Sequence, residues 1–367
     1  MCCAADDPYR TMLTPWRAFH SSPNRDARNG VNPPEPTVPP NRHTLVPRIP
    51  AVFASRALAN GERAARSRLI AAICALGVAA TAASAQQPAP RVRTAPRSPD
   101  VYLAPLTVRD GVPTIGSPMN ITNRAGYDNQ PAFLDDGSGV LFTSVRDDAQ
   151  ADIYRYDFAT RRLSRVTTTA PESEYSATPI EGGRAISVVR VERDSAQRLW
   201  RFPLDGGAPS VILERVKPVG YHAWADDRML ALFVLGSPNT LQLADSRTSS
   251  ADTIATNIGR SLHRIPGTRR VSFVRKVAPT EWWIESLDVG TRQATRLVRL
   301  PDGVEDYAWL PSGSVLCGRG STLLWWSGQT GDDWRTVADL SGRGVRSITR
   351  LAVSPRGDRL AFVAEEP

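Results

Sequence analysis

The sequence predicts an all-β chain that folds as a six-bladed β-propeller, with the last blade closed by strands from both termini. The first observation is a repeat, because five hexapeptides recur at intervals of 41 to 46 residues, the spacing of four-stranded propeller blades. They are DIYRYD from Asp152, RLWRFP from Arg198, TLQLAD from Thr240, EWWIES from Glu281 and TLLWWS from Thr322. The second observation is a sixth copy, DVYLAP, at the front of the chain from Asp100. A closed ring requires this displacement, because a blade built from both ends of the chain leaves no unpaired sheet edge.

The segments around each hexapeptide predict the other three strands of its blade. A turn rich in Gly, Asp and Pro precedes a β-branched and aromatic run, as in LDDGSGVLFTSV from Leu134. Short segments before these turns, such as YHAW and YAWL, are predicted to be innermost strands, and short segments after the hexapeptides to be outermost strands. The chain then reads as two outer strands (VYLAPL and a segment ending at Thr122), five complete blades from about Tyr127 to Asp339, and two inner strands (ITRLAV and DRLAFVA). This predicts 24 strands over residues 100–367.

Two of the turn-and-strand segments resemble those of the TolB-like six-bladed propellers, whose blades share a Pro-Asp-Gly turn before a strand ending Phe-x-Ser. The segments are LDDGSGVLFTS (134–144) and SPRGDRLAFVA (354–364), in which Asp135 stands in place of the proline and Arg356 in place of the aspartate. The resemblance covers about 100 to 367. It implies the fold and leaves the function open, because propellers host many roles.

The residues before the repeat predict export. Residues 1–60 are rich in Pro, Arg and Asn without an apolar period, and are expected to be disordered or to be a misannotated extension before the true start. Residues 61–85 combine three arginines, an apolar run and the small residues Ala83-Ser84-Ala85, which predicts a signal peptide cleaved after Ala85. Residues 86–99 are expected to be a linker. The expected location is the periplasm or the outside of the cell, with no stable membrane span after processing; retention as a signal anchor is the alternative.

Charge and cysteine content argue against nucleic-acid binding and against a cysteine nucleophile. The chain carries a net charge of +8, but residues 1–85 hold ten basic and five acidic side chains, so the remainder is close to balanced at +3. This balance argues against nucleic-acid binding. After cleavage only Cys317 remains, within the apolar segment SVLCG, where it is expected to be a buried small hydrophobe that forms no internal disulfide.

The predicted propeller offers few residues for catalysis. It contains two histidines, His222 and His263, and no G-x-S-x-G segment. A metal site would need a third ligand beside the two histidines, and the paired aspartates of the chain lie in turns where Asp is favoured for its backbone conformation. No catalytic residue, metal site or cofactor is therefore predicted.

The segments at the start of the innermost strands predict a binding surface. Six such segments, one per blade, bring aromatic and charged residues to one end of the channel, where Tyr offers rigid contact area and Arg offers paired hydrogen bonds to carboxylates. The candidate binding residues are Tyr127, Asp128, Tyr175, Tyr221, His222, Arg260, Asp306, Tyr307 and Arg346. We expect Tyr221, Arg260, Tyr307 and Arg346 to lie on one face. The alternative is that these residues only line and solvate the channel.

The sequence thus favours an exported, monomeric, non-catalytic propeller that binds a protein or peptide partner in the cell envelope. One alternative is a carbohydrate-active or other hydrolase- or lyase-type enzyme that uses channel histidines and acidic residues. Another is a structural accessory of an export or surface complex.

Overall fold

The computed structural model describes residues 98–146 and 150–365 and contains 25 strands in six sheets. Within these residues the helical elements are two short 3-10 turns, Glu181–Gly183 and Ser341–Arg343. The all-β, six-bladed prediction is confirmed. The disordered extension, the signal peptide and residues 86–97 of the linker lie outside the described residues and stay predictions.

The strands follow the predicted order, with the front of the chain placed in the closing blade. The chain begins with β1 (Pro99–Arg109), β2 (Val112–Ile115) and β3 (Met119–Asn120). Blade one contains β4 (Tyr127–Phe133), β5 (Gly139–Val145), β6 (Ala151–Asp157) and β7 (Leu163–Arg165). Blade two contains β8 (Ser173–Ile180), β9 (Ala185–Val191), β10 (Gln197–Pro203) and β11 (Ser210–Val211). Blade three contains β12 (Val219–Trp224), β13 (Met229–Val234), β14 (Thr240–Asp245) and β15 (Ser250–Thr256).

The remaining blades complete the ring. Blade four contains β16 (Ile258–Arg264), β17 (Arg270–Ala278), β18 (Glu281–Asp288) and β19 (Ala294–Arg299). Blade five contains β20 (Tyr307–Trp309), β21 (Val315–Arg319), β22 (Thr322–Trp326) and β23 (Arg335–Asp339). The chain ends with β24 (Arg346–Val353) and β25 (Arg359–Glu365). The five hexapeptides of the repeat fall in β6, β10, β14, β18 and β22, which are the third strands of their blades, as predicted.

The closing blade joins the two ends of the described chain. Its strand order is β24–β25–β1, and β1 pairs antiparallel with β25, so that Val101 lies opposite Val363 and Tyr102 opposite Phe362. The rings of Tyr102 and Phe362 stack with centroids 5.5 Å apart. Backbone hydrogen bonds and ring stacking therefore fasten the front of the chain to its end, which confirms the predicted closure.

One element was not predicted, the hairpin formed by the second half of β1 with β2. Its register pairs Arg109 with Val112 across the two residues Asp110 and Gly111. Both have positive φ, 51° and 78°, which is the backbone of a two-residue hairpin turn and the reason that Asp-Gly is favoured there. The Asp-Gly signal was present in the sequence, and the closing blade consequently has three strands from the front of the chain where two were predicted.

The apolar core lies between neighbouring blades. Second strands contribute fully buried rings at matching places, among them Phe142 in β5, Phe273 in β17 and Phe362 in β25. Third strands add Trp326, which is 2% exposed, and Cys317 of β21 is fully buried, as expected. The innermost strands contribute some residues to this core, such as Tyr127 and Ile348, and line a central channel with others.

Candidate functional site

A cavity of about 440 Å³ lies in the central channel, and residues of all six innermost strands contribute to its wall. Every innermost strand is the first strand of its blade, so the six strands run in the same direction along the channel. Residues at their beginnings and at their ends consequently mark the two ends of the cavity. We call the end near the beginnings of the strands the arginine end (Arg260, Asp306 and Arg350). The end near the last residues of the strands is the tryptophan end (Trp224, Arg264 and Trp309).

Irregular pairing of the innermost strands shapes the cavity wall. The register between first and second strands breaks in β4, β8, β12, β16 and β24. At three of these breaks the backbone is left-handed although the residue is not glycine, with φ of 58° at Gln130, 54° at Ser176 and 48° at Arg350. All three residues line the cavity. Bulges of this kind redirect side chains, and they are common beside functional sites.

The arginine end holds one carboxylate between two guanidinium groups. Arg260 donates from Nη2 to Asp306 Oδ2 at 2.8 Å and from Nε to Oδ1 at 3.4 Å. Arg350 Nη1 lies 3.7 Å from Asp306 Oδ1, and its Nη2 donates to the Tyr221 hydroxyl at 2.9 Å. Burial alone would raise the pKa of Asp306, but Arg260 and Arg350 outweigh it and hold that pKa below its usual range. Asp306 is therefore ionised at neutral pH.

His222 and Tyr307 have the same structural role in two different blades. The Ser187 hydroxyl of β9 lies 2.7 Å from His222 Nε2 and accepts a hydrogen bond from Trp224 Nε1 at 2.9 Å. In the same way, the Ser272 hydroxyl of β17 accepts hydrogen bonds from the Tyr307 hydroxyl and from Trp309 Nε1, both at 2.8 Å. A serine on the second strand of one blade thus forms hydrogen bonds with two side chains on the innermost strand of the next blade.

Both channel histidines are neutral at pH 7. Burial lowers the pKa of His222 to about 3. Burial also lowers the pKa of His263 to about 4, with Asp306 opposing the shift and Arg350 adding to it. The His263 ring packs edge-on against Tyr307 at 4.7 Å, and its Nε2 lies 3.1 Å from the Ser261 hydroxyl.

The histidines do not form a metal site with each other or with nearby acids. Within residues 98–146 and 150–365, no group of three or more His, Cys, Asp or Glu side chains is arranged to hold a metal ion. The prediction that the chain uses no cofactor stays a prediction.

Five of the nine candidate residues line the cavity, namely Tyr221, His222, Arg260, Asp306 and Tyr307. The other four lie elsewhere. Tyr127 and Tyr175 are buried in the core between blades, and Asp128 is fully buried in ion pairs with Arg124 at 3.2 Å and Arg146 at 3.6 Å. Arg346 is exposed at the start of β24.

The position of Arg346 outside the cavity has a physical reason. Strand β24 contains two breaks in register, one between Arg346 and Thr349 and one between Thr349 and Ala352. Each break adds a residue, so the strand position that faces the cavity moves along the chain to Arg350. A period of two along the strand does not reveal this shift, and for the same reason it does not identify Arg350, Gln130 and Ser176 as cavity residues.

Comparison with known proteins identifies the fold. No family model matches the chain, and no curated protein matches it. A solved structure of TolB from Agrobacterium tumefaciens aligns at a TM-score of 0.58 with 15% identity, over 74% of this chain and 100% of that one. TolB from Acinetobacter baumannii gives a TM-score of 0.48 with 10% identity, over 72% of this chain and 63% of that one. An oligogalacturonate lyase in complex with manganese gives a TM-score of 0.48 with 16% identity, over 68% of this chain and 80% of that one. At these identities the likeness concerns the fold and assigns no activity.

Proposed function

We propose that this TolB-like six-bladed β-propeller is an exported, non-catalytic module that binds a protein or peptide partner of the cell envelope in its central cavity. The observation that carries the proposal is the cavity itself. Its volume of about 440 Å³ lies within the range of ligand-binding pockets, roughly 300–1,000 Å³. Its wall combines tyrosine, tryptophan and arginine, the residue types enriched at protein interfaces.

The side chains of the cavity weigh against catalysis. The Ser187 hydroxyl is fully buried, and among the described residues no carboxylate orients His222 and no group hydrogen-bonds to its Nδ1. The contact between Ser187 and His222 Nε2 therefore resembles a nucleophile–base pair only in its distance of 2.7 Å. Blade five uses Tyr307 in the place of His222, which supports a packing role for both residues. Asp306 is held as an anion between two arginines and is unsuited to donate a proton.

Export remains part of the proposal and rests on residues 61–85. In the part of the chain that the structure describes, no helix has the length and apolar character needed to cross a membrane. Monomeric state and envelope location are proposed together with export.

A photo-crosslinking experiment tests the proposed function. Arg264 is exposed at the tryptophan end, and Arg335 is exposed on the outermost strand of blade five. With a benzophenone amino acid at position 264, we expect one discrete protein adduct in intact cells, because a partner in the cavity passes this position. The same label at position 335 is the control and should give no such adduct.

Two results would contradict the proposal. One is the absence of any adduct specific to position 264. The other is release of sugar products from polysaccharide by the purified chain, with turnover lost in His222→Gln, which would favour the carbohydrate-active alternative.

A further inference from the structure

The arginine end of the cavity carries more hydrogen-bond donors than its own acceptors use. Each guanidinium has five N–H donors. Arg260 places two of them on Asp306, and Arg350 places one on the Tyr221 hydroxyl. The 3.7 Å between Arg350 Nη1 and Asp306 Oδ1 is too long for a hydrogen bond. Arg350 is thus held in position by Tyr221, whose ring it also covers at 4.9 Å. Within residues 98–146 and 150–365, its other N–H donors have no hydrogen-bond acceptor and can bind another group.

The charges at this end are also unbalanced. Arg260 and Arg350 both face the carboxylate of Asp306. The backbone N–H of Arg260 also donates to Glu305 Oε1 at 2.7 Å, and this carboxylate pairs with Lys276 at 3.1 Å. Three cations against two carboxylates leave an excess of one positive charge, in a part of the cavity where Asp306 and Arg350 are only 8% and 12% exposed. A charge removed from water is stabilised when an opposite charge joins it. One further monoanion would balance the site, whereas a phosphate monoester, with a charge of about −1.5 to −2, would overshoot it.

The backbone at Arg350 provides independent support. Its φ of 48° is unusual for a residue other than glycine, and the bulge that produces it directs Arg350 into the cavity. Left-handed backbone at non-glycine residues is strained and concentrates at ligand-binding sites. Gln130 and Ser176 line the same cavity with the same backbone conformation.

We infer that the arginine end binds a carboxylate of the partner, from an Asp or Glu side chain or from a chain terminus, beside Asp306 and between Arg260 and Arg350. This inference rests on the proposed function and adds the chemical class that the cavity recognises. The Arg260–Asp306 contact shows that the site already accepts one carboxylate on a guanidinium fork. The Tyr221 hydroxyl accepts a hydrogen bond from Arg350 and can donate its own hydrogen to the incoming carboxylate. The rest of the partner chain then extends along the cavity toward Trp224 and Trp309 at the tryptophan end.

The test compares matched probes on the wild-type chain by ligand-observed NMR titration. The side-chain arm pairs N-acetyl-aspartate methylamide with N-acetyl-asparagine methylamide, and the terminal arm pairs N-acetyl-alanine with N-acetyl-alaninamide. We expect the charged member of at least one pair to bind about tenfold more tightly, because only the carboxylate forms charge-assisted hydrogen bonds with both arginines. Arg350→Gln should remove this preference, whereas the exposed control Arg335→Gln should keep it.

The comparison of charged and neutral probes on the wild-type chain tests the inference by itself, even if Arg350→Gln does not fold. Equal binding of charged and neutral members overturns the inference, as does tighter binding of inorganic phosphate than of either carboxylate. An adduct at position 264 without a carboxylate preference leaves the proposed function standing and removes only the inference. Trigalacturonate tests a sugar acid as the ligand. If it binds in an Arg350-dependent way while the charged and neutral peptide probes bind equally, both the inferred carboxylate of a protein partner and the proposed peptide partner are overturned.

Discussion

Replacing Phe362 with alanine is expected to lower the free energy of unfolding by about 3–5 kcal/mol. Phe362 is fully buried in β25 and stacks on Tyr102 of β1 at the junction between the two ends of the described chain. The substitution leaves a cavity and removes the stacked pair that fastens this junction. Denaturant unfolding followed by tryptophan fluorescence measures the loss.

The matched control is Leu204→Ala, a large-to-small change at a side chain that is 38% exposed. We expect it to change the stability by less than about 1 kcal/mol, because little apolar area returns to water. A Phe362→Ala variant as stable as Leu204→Ala would contradict the role given to the closing blade.

The contribution of His222 to the free energy of unfolding is expected to decrease as the pH falls below 6.5. Its pKa is about 3 in the folded chain, so between pH 6.5 and 3 the unfolded chain takes up a proton that the folded chain does not. The unfolded state therefore binds this proton at a higher pH than the folded state does, so the free energy of unfolding decreases as the pH is lowered. The decrease due to this one residue reaches about 2 kcal/mol at pH 5 and about 4 kcal/mol at pH 3.

His222→Gln tests this assignment. At pH 7.5 the variant should be less stable than the wild type by a fixed amount, and the gap should shrink by about 2 kcal/mol at pH 5, because glutamine does not titrate. Ser187→Ala is the control, since it removes the hydrogen-bond partner of His222 and leaves the histidine in place. Its gap to the wild type should stay nearly constant with pH. A constant gap for His222→Gln as well would show that His222 is not buried as a neutral ring.

Most of the fold was predictable because it repeats. A hexapeptide such as DIYRYD recurs with the blade, so its position fixes the third strand β6 without knowledge of tertiary contacts. The displaced copy at Asp100 predicted the joint blade in the same way, and β1 pairs with β25 as expected. The hairpin at Asp110-Gly111 was readable from its turn residues, but it interrupts the repeat and was overlooked.

The site was less predictable because the strands that form it are irregular. Tyr221, Arg260 and Tyr307 were found because aromatic and charged residues recur at the start of innermost strands. Arg350 was missed because two bulges in β24 shift which residue faces the channel, and bulges in innermost strands depend on contacts that a single sequence does not show. Tyr127 and Tyr175 share the pattern of Tyr221, yet packing between blades buries them.

The closed ring is tested most directly by asking whether the two ends of the repeat region, β1 and β25, pair with each other. Cysteines at Val101 and Val363, which are register partners in β1 and β25, should form a disulfide on oxidation, and peptide mapping by mass spectrometry detects it. Ala231 and Leu243, partners within the hairpin of blade three, provide the control pair. Cys317 is fully buried and does not compete. A closed ring predicts a disulfide in both pairs. A disulfide in the 231–243 pair together with none in the 101–363 pair would contradict the closed ring and the cavity that depends on it.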